Sequence, residues 1–60
     1  MSKHYYAHIF YWTGEQDVIE VTTAEATDLL IAVERQAFVR VGNTAIDGST
    51  MRKVDILTTD

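Results

Sequence analysis

Apolar residues recur at intervals of three and four in only one stretch, TTAEATDLLIAVERQ over residues 22–36. Ala26, Leu29, Leu30, Val33 and Ala37 fall on one side of a 3.6-residue period, so this stretch predicts an amphipathic helix. Thr27, Glu34 and Arg35 make its polar side, and Ile31 lies off the stripe as flanking packing. Thr22 and Glu25 stand three apart, the spacing of a reciprocal cap, with Thr23 as the rival cap. Before and after the helix the period changes from 3.6 to two. Residues 4–12, HYYAHIFYW, predict a first strand rich in aromatic and β-branched side chains. Residues 13–17 predict a turn with Gly14 at positive φ, and Val18 to Val21 a second strand. So short a connection predicts an antiparallel hairpin.

After the helix, residues 37–41 (AFVRV) predict a third strand and Gly42-Asn43 a tight turn. Thr44 to Ile46 predict a short fourth strand, Asp47-Gly48-Ser49 a second turn, and Met51 to Leu57 a last strand. Residues 58–60 are expected to fray. The order is ββαββ or ββαβββ. The expected fold is α+β: a single antiparallel sheet of four or five short strands with one helix packed across one face. Residues 1–60 read as one small domain, without proline, linker or repeat.

Alternation along the first two strands decides which side chains meet the helix. Ala7, Ile9, Ile19 and Val21 make the smoother floor for Leu29, Leu30 and Val33, and Tyr5 and Tyr11 share the face of Ala7 and Ile9. His4, Tyr6, His8, Phe10 and Trp12 then lie on the opposite face, joined by Val18. Exposed apolar area of this kind marks an interface, and tyrosine and tryptophan serve well as anchors.

Three occupants fit that face. Further copies of the chain, in a homodimer or a larger homo-oligomeric ring, would add the core that sixty residues hardly supply alone. A different protein could dock there. Single-stranded nucleic acid could stack on the rings, with Arg40, Arg52 and Lys53 on phosphates. The reverse face assignment would instead make the rings simple core.

Charge bears on the choice. The formal net charge is −4. Lys3 stands against Glu15, Asp17, Glu20, Glu25, Asp28 and Glu34, whereas Arg35, Arg40, Arg52 and Lys53 outnumber Asp47, Asp55 and Asp60. That balance disfavours broad nucleic-acid binding and leaves room for a local basic patch and for an acidic surface that meets a basic partner, with another protein as the expected partner. Arg40 has two readings: a solvated strand arginine paired with Glu20 or Asp55, or part of a basic edge with Arg52 and Lys53.

Candidate chemistry is sparse. There is no cysteine, which excludes disulfides and thiolate sites and fits a reducing, cytoplasmic setting. His4 and His8 would lie roughly 13 Å apart along a strand, too far to share one zinc ion. Glu15, Asp17 and Glu20 lack the oxygen spacing of a calcium loop and read as solvated turn residues. Ser49, His4 and His8 show no nucleophile-and-base arrangement. No cofactor, metal or enzymatic activity is therefore expected. No stretch reads as a signal peptide or membrane span.

The order of features resembles very short proteins carried by phages and other mobile elements of Gram-positive bacteria. The matching residues are Gly14-Glu15, Thr22 to Ala26, Leu29-Leu30, Val41-Gly42-Asn43, Ile46, and Met51 to Ile56. The resemblance implies a small accessory or interaction protein and brings no catalytic residue with it.

Overall fold

The computed structural model describes residues 3–59. Strand β1 (His4–Tyr11) pairs with β2 (Gln16–Val21) in a hairpin, and helix α1 (Thr23–Arg35) follows. Strands β3 (Phe38–Val41) and β4 (Thr44–Asp47) form a second hairpin. A 3-10 turn, Gly48–Thr50, then leads into β5 (Met51–Thr59). The fold is α+β, but the strands do not make the single sheet expected. They divide into a three-stranded antiparallel sheet, ordered β2-β1-β5, and a separate two-stranded sheet, β3-β4.

The chain changes course between the two sheets at the 3-10 turn. At the expected Asp47-Gly48-Ser49 turn, Asp47 accepts hydrogen bonds from the N–H and hydroxyl of Ser49 and winds the chain into the 3-10 turn. Strand β5 then leaves β4 and lies beside β1 instead, from His4↔Thr59 to Tyr11↔Met51. Thr58 and Thr59 are therefore paired strand residues rather than a frayed end, and Asp60 lies outside the described residues.

The capping box forms as the sequence predicts. The Thr22 hydroxyl accepts from the N–H of Glu25 at 3.1 Å, and a Glu25 carboxylate oxygen accepts from the N–H of Thr22 at 2.9 Å. The other Glu25 oxygen accepts from the N–H of Gly42 at 3.1 Å. One carboxylate thus fastens the start of the helix to the β3–β4 turn. These backbone donors, Thr22 first and Gly42 second, hold its pKa below the ordinary glutamate range. Gly42 takes φ +61° in that two-residue loop, and Gly14 takes φ +94° in the first hairpin.

The helix buries Ala26, Leu29 and Ala32 against Ala7, Ile9, Val21, Val39, Met51 and Val54. Leu30, expected in the stripe, is 47% exposed, and Ala32 takes its place. The stripe is turned toward Ala32 because β3 and the 3-10 turn pack on that side. Ala37 is exposed as a side chain. Its backbone matters instead: the N–H of Ala37 donates to Ala32, and its carbonyl accepts from Gly48.

Candidate functional site: the open face of the three-stranded sheet

With Ala7 and Ile9 against the helix, the alternate residues of β1 face away from it. Strand pairing arranges the open face in rows. Glu20, Tyr6 and Leu57 make one row, Val18, His8 and Asp55 the next, and Gln16, Phe10 and Lys53 the third. His4 and Thr59 lie beyond the first row. The face assignment expected for His4, Tyr6, His8, Phe10 and Val18 is the one found.

Trp12 differs. The strand ends at Tyr11, and Trp12 stands in the following turn, 64% exposed, its N–H donating to the Thr50 carbonyl.

The face is mixed in chemistry. The His8 and Phe10 rings stack with centroids 4.1 Å apart and planes 28° apart. The His8 Nε2 contacts the Gln16 side-chain oxygen at 3.0 Å, and the His4 Nδ1 contacts a Glu20 carboxylate oxygen at 2.6 Å. Tyr6, His8 and Phe10 are half-buried, whereas Val18 and Leu57 stand 58% and 47% exposed. Each histidine points to a different neighbour, so the two do not converge as ligands. Among the described residues, no three of His, Asp and Glu cluster as a metal site would require.

A bulge brings two cations to this face. Register with β1 shifts between Phe10↔Lys53 and Tyr11↔Met51, leaving Arg52 as the extra residue. Strict alternation would send Arg52 toward the helix and Met51 away from it. The bulge buries both Met51 and Val54 and leaves Arg52 and Lys53 exposed together. The Lys53 Nζ lies 4.6 Å from the Phe10 ring centroid, and the Arg52 guanidinium carbon 5.9 Å, both within cation–π range. Lys53 also approaches Asp55 at 3.7 Å.

Arg40 does not join them. It belongs to the β3–β4 sheet and lines a cleft of about 320 Å³ with Asp28, Ile31, Ala32, Ala37, Phe38 and Val39. Among the described residues it pairs with neither Glu20 nor Asp55. The basic residues therefore form two separate groups, not one edge.

On the helix side, Tyr11 is held neutral to higher pH than usual, first by burial and then by the nearby Asp17 and Glu15 carboxylates.

Among the described residues, four exposed large apolar residues fall outside the expected interface set: Leu30 and Ile31 on the helix, Phe38 on β3 and Leu57 on β5. Leu57 is readable from period two, since it follows Lys53 and Asp55 on one face. Phe38, 74% exposed, is equally readable from Val39 and Val41, which take the inward positions.

No helix among the described residues is long and apolar enough to cross a membrane. No protein-family model matches this chain, and neither a curated protein nor a solved structure matches it significantly.

Proposed function

We propose that this chain is a small, non-enzymatic interaction protein that self-associates through the open face of its three-stranded sheet. The observation carrying the reading is a sheet with its helix on one side and Tyr6, His8, Phe10, Val18 and Leu57 in adjacent register on the other. A second such face would cover the exposed apolar side chains and add to a core that is small for one domain. The accessory role implied by the phage-protein resemblance fits a protein that works by binding, and a cytoplasmic setting fits a chain without cysteine. Replacing Phe10 by serine tests the reading: the mass in solution should fall from dimer to monomer. An unchanged mass would refute it.

A second reading is supported by Lys53 and Arg52 over Phe10, beside the His8 ring. Rings flanked by cations suit single-stranded nucleic acid. Binding to labelled single-stranded DNA or RNA that weakens steeply with salt would support it, and no binding at low salt would exclude it.

A further inference from the structure

The open face has a charge pattern that selects one way for two copies to meet. We propose that the sheets pack with their strands crossing near a right angle, about a two-fold axis that passes over His8 and runs from the Gln16 corner to the Leu57 corner. The proposal rests on self-association through this face and adds its geometry.

The nine residues of the three rows form an array centred on His8. Neighbours lie about 4.8 Å apart across strands and about 6.8 Å apart along them. Lys53 and Glu20 occupy opposite corners, Gln16 and Leu57 the other two, and Asp55 the middle of one edge. A face-to-face pair with closed symmetry is isologous, so its two-fold lies in the plane between the sheets. Four directions relate the array to itself.

With the axis along the strands, Lys53 meets Gln16 of the other copy, Asp55 meets Val18, and no charge finds an opposite. With the axis across the strands, Asp55 meets Asp55 and Lys53 meets Leu57. With the axis along the diagonal joining Glu20 and Lys53, each of those charges meets its own copy. The remaining diagonal brings Lys53 opposite Glu20 of the other copy, twice by symmetry. It also sets Phe10 against Val18 and Tyr6 against Asp55 with offsets of about 2 Å, and Leu57 against Leu57 with an offset of about 3 Å. Arg52, carried onto this face by the bulge, lies next to Lys53 and adds to the positive corner. Perpendicular crossing is one of the two ordinary ways for sheets to stack.

The chain contains no cysteine, so single cysteines report the packing cleanly. Sedimentation of the unaltered chain comes first. A monomer there overturns self-association itself, and the packing with it. Given a dimer, a short bismaleimide of about 8 Å reach, which forms one thioether at each cysteine and so spans sheets about 10 Å apart, should link Leu57→Cys chains to one another and should link Lys53→Cys chains to Glu20→Cys chains. Lys53→Cys alone should stay unlinked. Unlinked Leu57→Cys, or Lys53→Cys linked to itself, overturns this packing while leaving self-association intact.

Charge reversal gives an independent readout. Lys53→Glu should weaken the dimer about tenfold, two exposed ion pairs being lost at once. Adding Glu20→Lys in the same chain should recover most of that loss, with circular dichroism confirming that each variant is folded. Failure of the second change to restore affinity counts against the pairing.

Discussion

Gly48 is a position where one added carbon should be felt sharply. A Cβ there would lie 2.2 Å from the Ala37 carbonyl oxygen, 2.5 Å from the Ala32 carbonyl oxygen and 2.9 Å from the Ala37 nitrogen. All three are backbone atoms, so no side chain can rotate away. The glycine is needed for space, because its φ is not positive. Relief requires the 3-10 turn to move off the end of the helix by about 1 Å, given ordinary carbon–oxygen contact distances. That movement threatens the 2.9 Å bond from the Gly48 N–H to Ala37. Overpacking costs about 1–3 kcal/mol and the hydrogen bond about 0.5–1.5 kcal/mol, so Gly48→Ala should lose about 2–4 kcal/mol. A domain of this length has about 3–9 kcal/mol in all, so much of the fold's stability is at stake. Gly14→Ala is the control. A methyl group added at Gly14 would meet nothing within 4 Å, but the residue sits at φ +94°. Its cost should be confined to backbone strain, about 1–2 kcal/mol. Urea unfolding followed by circular dichroism, at one protein concentration throughout, gives both values. If Gly48→Ala proves no more harmful than Gly14→Ala, the close seating of the 3-10 turn against the helix is wrong.

Two other substitutions probe the helix. Leu29→Ala should cost about 2–5 kcal/mol because Leu29 is fully buried, whereas Leu30→Ala should cost well under half of that; equal losses by urea unfolding would contradict the turned stripe. Glu25 has a folded pKa lowered by the N–H groups of Thr22 and Gly42, so its contribution is present above the unfolded carboxylate range and lost as pH falls through the folded value. Glu25→Gln keeps one acceptor oxygen and cannot serve both donors as an ion. The gap between its urea midpoint and that of the unaltered chain should be wide at neutral pH and narrow in acid, and a gap constant with pH would refute the carboxylate's role.

Local signals carried most of the fold. Thr22 and Glu25 announced the cap, Gly14 and Gly42 the two hairpin turns, and period two sorted Ala7 and Ile9 from His8 and Phe10. What stayed hidden depends on contacts between distant segments. Nothing local tells β5 to pair with β1 rather than β4, since Val54 and Ile56 would suit either neighbour. Leu30 and Ala32 exchange roles because β3 and the 3-10 turn come to lie beside the helix, which the helical period alone does not register. The bulge at Arg52 left a trace in the sequence: Met51 and Val54 are both apolar but three apart, a spacing strict alternation cannot bury. Its consequence for the site, two cations sharing one ring, follows only from the register.

Sedimentation equilibrium of the unaltered chain beside Phe10→Ser, across the micromolar range, reaches the central claim most directly. Self-association through the open sheet face predicts twice the 6.8 kDa of one chain for the first and a shift toward 6.8 kDa for the second. A single-chain mass for both, or a dimer that Phe10→Ser leaves intact, would contradict it.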